Sequence, residues 1–292
     1  MYPTSFDYFA PSTIEESLDL LTRYGDDAKL LAGGQSLIPT MKLRLAQPRY
    51  LIDLGQVRDL PGGIRRDGDH LVIGPLTLHA DVAVSEIVRQ TLPGLAEAAA
   101  VIGDVQVRNR GTIGGSAAHA DPGADFPVIL TALNASFLVA SRGGIRTISV
   151  DQFFVDFFTT ALAHDEVLTE IHVPLPPDGA STAYAKLGNP ASGYVVVSAG
   201  VLVARGASGE CVSARVAVGG VQATPFRAVA VEESLRGQPL TPEIIAAAAA
   251  RATEGADTYA DLYASEDYKR QVAAVYVRRA LEAAVGVNGE RP

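Results

Sequence analysis

The sequence predicts an α+β protein in three segments, and three observations carry that reading. A capped helical segment alternates with short apolar runs through the first 55 residues, the pattern of a small α/β unit. Asp67-Gly68 sits between two strand-like runs and signals a hairpin, which opens a mixed segment over 56–177. Pro174, Pro176, Pro177, Asp178 and Gly179 then mark a boundary, beyond which strand-length runs come first and helical segments follow, over 178–292.

In chain order, Thr13-Ile14-Glu15-Glu16 has the capping-box pattern, and Ile14, Leu18 and Leu21 follow at helical spacing until Gly25 stops the helix. Lys29 to Ala32 and Tyr50 to Leu54 read as short buried strands, with a turn or two of helix from Leu37 to Leu45 between them. Gly63 to Arg66 and His70 to Gly74 form the hairpin, turning at Asp67-Gly68. Helices are expected over Val82 to Arg89, Leu95 to Ile102 (with Pro93 near its start) and Asp125 to Leu133. Ser136 to Ala140 and Ile145 to Val150 form a second hairpin around Arg142-Gly143-Gly144, and Val167 to Val173 is a strand. Thr182 to Leu187, Tyr194 to Arg205 and Cys211 to Val221 read as an antiparallel meander. The remainder is helical: Thr241 caps a helix with Pro242 at its first position, running through an alanine tract to Gly255, and a last helix spans Glu266 to Val285.

Composition excludes several functions. With 24 Lys+Arg against 33 Asp+Glu the formal net charge is -9, and no basic cluster with interleaved aromatics offers a nucleic-acid surface. The amino terminus lacks a basic region followed by an apolar core, and the most apolar run, Tyr194 to Ala204, falls short of the roughly 18 residues that span a bilayer. A cytoplasmic protein without a membrane span is expected. Cys211 is the single cysteine, so this chain cannot form an internal disulfide or hold an iron–sulfur cluster by itself, since a cluster takes about four cysteine ligands. The five histidines show neither i, i+4 pairing nor cysteine company, so no metal site is expected. No Gly-x-Ser-x-Gly elbow, phosphate-binding Gly-x-x-x-x-Gly-Lys loop or Gly-x-Gly-x-x-Gly fingerprint occurs, which removes the main support for hydrolase, kinase and classical dehydrogenase assignments.

What remains is a pair of glycine-rich stretches roughly eighty residues apart, Leu31-Ala32-Gly33-Gly34-Gln35-Ser36-Leu37 and Thr112-Ile113-Gly114-Gly115-Ser116. Each glycine pair lets the backbone turn sharply and approach a ligand, and each is followed by amide or hydroxyl groups. Gly-Gly after a strand is also an ordinary turn. Two such loops together are suited to clasp the two phosphates of a dinucleotide through backbone N–H donors, without many lysines. The small and polar stretch Ala117 to Asp125 has little to bury and is expected to line something.

These stretches, with Asp121-Pro122-Gly123-Ala124-Asp125 downstream, resemble the FAD-binding medium subunits of molybdenum hydroxylases, a family that includes the carbon monoxide dehydrogenase medium subunit and the flavin domain of xanthine dehydrogenase. The resemblance runs in element order from about Ser5 to Leu281. It implies a two-subdomain α/β FAD-binding fold of the vanillyl-alcohol-oxidase/PCMH type, over 1–55 and 56–177, followed by a domain of three antiparallel strands and a helical bundle over 178–292. It further implies that Leu31 to Leu37 and Thr112 to Ser116 wrap the FAD pyrophosphate and that Asp125 hydrogen-bonds a polar part of the cofactor. Ile102 would sit near the isoalloxazine ring, Leu168 near the adenine side, and Lys186 beside the flavin or its phosphates. Tyr194, which follows Gly193, is similar to a family tyrosine lying by the flavin ring; its alternative is a strand aromatic packing within the meander.

The sequence departs from many relatives in having Ser116 in place of Asn and Gln35 in place of His, changes that keep hydrogen-bonding capacity. No histidine or cysteine falls within either glycine motif, so FAD is expected to be noncovalent. The resemblance also implies partners, a large molybdopterin subunit and a small subunit with two [2Fe-2S] clusters, assembled as a dimer of heterotrimers. No side chain of this chain need act as general acid or base, so no catalytic residue is expected. Two other functions share the fold: a self-contained FAD-dependent reductase, and an assembly subunit without flavin turnover. On the clasp reading, valine at Gly33 or Gly114 is expected to abolish FAD retention by blocking the ligand, leaving the fold intact.

Overall fold

The computed structural model describes residues 2–60 and 62–286; Met1, Pro61 and 287–292, which fall within the expected segments, lie outside them. The first unit comprises β1 (Asp7–Phe9), α1 (Ile14–Tyr24), β2 (Ala28–Leu31), α2 (Leu37–Lys42) and β3 (Tyr50–Asp53). Its strands form a parallel sheet in the order β1-β3-β2, with Tyr8 and Lys29 both opposite Leu51. The Thr13 hydroxyl accepts from the Glu16 N–H at 3.1 Å, while the Glu16 carboxylate reaches back to the Ser12 N–H at 2.6 Å, so the capping box closes one residue earlier than the pattern suggests. Gly25 ends α1 at φ +52. Leu18 and Leu21 bury the inner face of α1 against Ile52 and Leu54.

The second unit runs through β4 (Ile64–Asp67), β5 (His70–Ile73), α3 (His79–Val84), α4 (Glu86–Thr91), α5 (Pro93–Ala100), α6 (Val105–Arg108), α7 (Ile113–His119), α8 (Asp125–Ala132), β6 (Ser136–Ser141), β7 (Gly144–Ser149), α9 (Val150–Phe153), β8 (Phe154–Asp156), β9 (Thr159–Thr160) and β10 (Val167–Pro174). Five strands form an antiparallel sheet in the order β4-β5-β10-β6-β7, and β8 pairs β9 in a separate hairpin. The third unit has β11 (Ala180–Gly188), β12 (Val195–Arg205), β13 (Cys211–Gly219), β14 (Phe226–Arg227), α10 (Val229–Leu235), α11 (Pro242–Ala249) and α12 (Glu266–Val285), with its strands in chain order. All of α8 is buried, packed on α5 and against β12 and β13. That burial matches a helix whose residues after Asp125 are apolar except Thr131, whose hydroxyl donates to the Pro127 carbonyl at 2.8 Å.

Several expectations shift. Asp67 pairs with His70, so the first hairpin turns at Gly68-Asp69, with Gly68 at φ +59 supplying the one positive φ of a type II′-like turn. The helix expected over Val82 to Arg89 is two, broken at Ser85, whose backbone is extended (φ -60, ψ 120). The second glycine stretch is not a loop: Thr112 caps α7, and Ile113 to His119 are helical. Part of the small, polar stretch after it is therefore helix as well. The alanine tract leaves α-helical geometry after Ala249, where Arg251 and Ala252 donate three residues back at 3.0 Å, so its end tightens into turns. The meander gains the two-residue β14 as a fourth strand. The short β1, α6 and α10 carried no sequence signal strong enough to mark them.

Candidate functional site

The two glycine stretches meet. A Cβ built on Gly33 would fall 2.0 Å from the Arg110 carbonyl oxygen and 2.8 Å from the Gly111 Cα, and one built on Gly115 would lie 3.6 Å from the Ala32 Cβ. The segment after β2 thus lies directly on the turn that leads into α7. Only glycine permits this approach of backbone to backbone. The expectation that Gly33→Val and Gly114→Val would act by blocking a ligand is corrected here. The Cβ of Gly33 would strike the Arg110 backbone, and that of Gly114 would strike Pro75, at 2.4 Å from its Cβ.

The two stretches differ in what they offer a ligand. In the first, the Gly34 carbonyl accepts from the Ile38 N–H and the Ser36 carbonyl from the Thr40 N–H, both at 3.1 Å. The N–H groups of Gly33, Gly34, Gln35, Ser36 and Leu37 have no acceptor among the described residues. All five residues are half-buried, and Gly34, at φ +72, adopts the left-handed backbone of a sharp turn. In the second stretch the donors are already engaged. Ile113 N–H donates to the Thr77 carbonyl at 3.0 Å, Gly114 N–H to the Pro75 carbonyl at 2.9 Å, and Gly115 N–H to the Thr112 hydroxyl at 3.1 Å. A clasp with N–H donors from both glycine pairs is therefore not what the fold presents. The first pair presents donors, and the second forms the wall behind them, with the half-buried Ser116 side chain beyond.

A second group gathers around Asp125, the first residue of α8. The residue is 4% exposed. Oδ1 lies 2.8 Å from Lys186 Nζ and accepts from the Tyr184 hydroxyl at 2.9 Å. Lys186 also donates to the Val101 and Gly193 carbonyls, each at 2.8 Å. An ammonium has three N–H donors, so these three acceptors account for all of them. Burial pushes the Asp125 carboxyl up to about 6, against the pull of Lys186. Burial likewise holds the Tyr184 phenol far above its ordinary range.

Tyr194 is half-exposed and stands between the two groups. The Ser36 side chain lies within hydrogen-bonding reach of its phenol, and Gly123 is so close that a Cβ there would be 3.2 Å from the Tyr194 ring. Burial and the nearby Asp121 carboxylate raise the phenol's pKa. Val195 N–H donates to the Gly123 carbonyl at 2.9 Å, so the strand that follows Tyr194 is pinned to the segment ahead of α8. Tyr194 therefore packs outside the meander, toward the first glycine stretch. Ile102 is part-buried between α5 and α6, and its carbonyl accepts from Arg108 at 2.9 Å. Leu168 lies apart from this constellation: it is a β10 residue opposite Val139, buried in the same core as Ile113 and Ala117.

Residues that sequence reasoning passed over complete the geometry. Pro75 and Thr77 take the N–H groups of the second stretch through their carbonyls, and Arg110 does the packing against Gly33. Carbonyls are common to all residues, so nothing in the sequence marks these partners. Tyr184 does carry a signal, because it lies two residues before Lys186 and so on the same face of β11. His79 is buried behind Gly111, beside Phe126, and its Nδ1 has no hydrogen-bond partner among the described residues; desolvation first, and Arg108 second, lower its pKa to about 4.

Comparison with known proteins bears on this geometry. A family model described as the FAD binding domain in molybdopterin dehydrogenase matches residues 4–176, and one described as the CO dehydrogenase flavoprotein C-terminal domain matches residues 182–284. The chain is 43% identical over 285 residues to the carbon monoxide dehydrogenase medium chain of Hydrogenophaga pseudoflava, covering 97% of this chain and 98% of that one. It is 39% identical to the 6-hydroxypseudooxynicotine dehydrogenase complex subunit alpha of Paenarthrobacter nicotinovorans, with 98% and 96% covered. The solved structure of carbon monoxide dehydrogenase from Hydrogenophaga pseudoflava that lacks the Mo-pyranopterin moiety of its cofactor superposes with a TM-score of 0.93 over 98% of this chain and 99% of that one, at 43% identity. No described helix is long and apolar enough to cross a membrane.

Proposed function

The chain belongs to the family of FAD-binding medium subunits of molybdenum hydroxylases, and from that premise we propose that it is the electron-transfer subunit of such a complex, carrying electrons from iron–sulfur clusters on a small partner subunit through noncovalent FAD to an external acceptor. Substrate oxidation then belongs to a large molybdopterin-bearing partner, and the assembly is a dimer of heterotrimers. Bound FAD supplies the capacity to take electrons singly and release them as a pair. This chain's own share is binding, orientation and exclusion of water.

The observation that carries the proposal is the row of N–H groups at Gly33 to Leu37, without acceptors among the described residues and backed by the Arg110–Gly111 turn. Such a row satisfies the oxygens of a pyrophosphate without a lysine. Gln35 and Ser116 extend it with side-chain donors, and Leu31, Ala32, Thr112, Ile113, Gly114 and Gly115 hold its floor and wall. Ile102 and Tyr194 supply apolar surface for the isoalloxazine end, and Asp125 and Lys186 fix the segments that carry it. Leu168 acts from the core beneath α7. No side chain of this chain is assigned proton transfer.

Purification of the chain alone and with its neighbouring subunits tests the proposal. A yellow protein whose flavin is reduced by substrate only in the assembled complex is the expected result. Bleaching of the isolated chain by NADPH would instead make it a self-contained reductase, and a colourless chain in an active complex would make it an assembly subunit.

A further inference from the structure

The turn that leaves α2 displays two leucines to solvent, Leu43 at 60% and Leu45 at 78% exposure. Between them Arg44 holds a left-handed backbone, φ +60, a conformation that costs any residue with a Cβ and is usually left to glycine. The turn is nonetheless fixed in place. Leu43 N–H donates to the Pro39 carbonyl and Arg44 N–H to the Met41 carbonyl, each at 3.0 Å. The Leu45 and Ala46 N–H groups converge on the Thr40 carbonyl at 2.9 and 3.3 Å, and the Gln47 side-chain amide donates to the Arg44 carbonyl at 3.2 Å. Met41, 1% exposed, and the buried Pro48 anchor the two ends. The leucines are therefore held out by a strained turn that its own hydrogen bonds determine, and strain kept in this way points to a use for the displayed geometry.

Its charge is as specific as its shape. Lys42 and Arg44 are exposed and neither forms an ion pair among the described residues, whereas Arg49 beyond them pairs with Asp27 at 3.7 Å. On a chain of net charge -9, the turn is a local cationic point between apolar side chains. It is also close to the first glycine stretch, because α2 is six residues long and so spans about 9 Å. The Thr40 hydroxyl donates to the Ser36 and Leu37 carbonyls at 3.1 and 2.9 Å, while the Thr40 carbonyl holds the turn. One residue thus connects the row of N–H groups to the displayed leucines.

We propose that Lys42 to Leu45 is the docking surface for the iron–sulfur partner, with Leu43 and Leu45 entering an apolar pocket on that subunit and Lys42 and Arg44 meeting its anionic side. The choice of occupant rests on the functional reading above, whereas the surface stands on the exposure, charge and geometry of the turn. A [2Fe-2S] cluster is anionic, because its thiolates and sulfides outweigh its two ferric ions, and reduction adds one more negative charge. A face that brings such a cluster toward the flavin is complemented by unpaired cations. An electron donor must also come close to its acceptor, and this turn lies one short helix from the stretch assigned to FAD. The leucines supply a centre that loses its water on contact, and the cations a rim that steers the approach.

The test uses the full chain, alone and produced together with both partner subunits. Two double variants, Leu43→Ser/Leu45→Ser and Lys42→Gln/Arg44→Gln, change only exposed side chains, so the urea midpoint of the chain alone should match the parent. In the complex, each double variant should bind the iron–sulfur subunit about tenfold more weakly, equal to roughly 1.4 kcal/mol. Only Lys42→Gln/Arg44→Gln should also flatten the salt dependence of that binding. Substrate should still reduce the partners' iron–sulfur clusters, while reduction of the flavin slows with the lost contact. Parental affinity for the iron–sulfur subunit in both folded variants overturns the proposal. Loss of the large subunit alone, or of contact between copies of this chain alone, overturns the occupant. A parent complex that holds the iron–sulfur subunit through this turn yet never reduces FAD would overturn the functional reading and leave the docking surface standing.

Discussion

Gly33 lies against Arg110 so closely that a Cβ on Gly33 would come 2.0 Å from the Arg110 carbonyl oxygen. This contact joins the parallel sheet of the first unit to the entry of α7. It also separates two kinds of glycine in one motif, because Gly33 is required by a neighbouring backbone and Gly34 by its own positive φ.

Gly33→Ala and Gly114→Ala should therefore act first on the fold, each costing up to about 3 kcal/mol as overpacking against immobile backbone. Gly34→Ala should cost about 1–2 kcal/mol for a left-handed backbone, since the Ile38 and Leu31 side chains nearest its Cβ can give way. Gly62→Ala, with nothing within 4 Å, is the neutral control. Urea unfolding alongside flavin absorbance checks the order; full stability in Gly33→Ala would refute the packing role.

Two buried groups should make opposing contributions to the pH dependence of stability between about pH 4 and 6. Asp125 binds its proton more tightly folded than unfolded, so its contribution falls as pH rises from the ordinary carboxylate value to about 6. His79 binds its proton less tightly when folded, so its contribution rises from about 4 toward the ordinary histidine value. Each is worth roughly 3 kcal/mol. Asp125→Asn should expose a stability that climbs with pH, and His79→Phe one that falls. Flat urea midpoints in both variants would show that neither group titrates in this window.

Thr112→Ala should cost about 1 kcal/mol by freeing the Gly115 N–H that the Thr112 hydroxyl accepts. Thr112→Ser should restore it. Equal melting temperatures for alanine and serine would remove the cap from the account.

Glu232→Ala should destabilise the C-terminal unit by about 3 kcal/mol, the low end for a broken buried pair. Glu232 is 3% exposed and accepts from Val216 N–H at 2.9 Å and Arg227 Nε at 3.0 Å, both of which would lose their acceptor. Calorimetry reads the loss, and flavin retention at low temperature should survive it. A variant as stable as the parent would show that water replaces the carboxylate.

Local chemistry was legible from the sequence wherever one side chain or one glycine decides the outcome. Thr13 and Thr241 cap α1 and α11 through their own hydroxyls, and Gly25 ends α1 at φ +52. The two glycine stretches were legible for the same reason, as positions where a side chain is forbidden. Their division of labour was not. Whether an N–H is free depends on a carbonyl brought up from elsewhere, and Pro75 and Thr77 look like any other acceptor in the sequence. Helical geometry at Ile113–His119 likewise follows from burial of Ile113 and Ala117 against the second core, which overrides the weak propensity of Gly114 and Gly115. The sequence by itself determined most of the element types and the family motifs, because caps, periodicity and glycine are local properties. Only the tertiary structure decided which donors remain open and that Lys186 is enclosed by Asp125, Val101 and Gly193, because those pairings depend on distances between segments far apart in the chain.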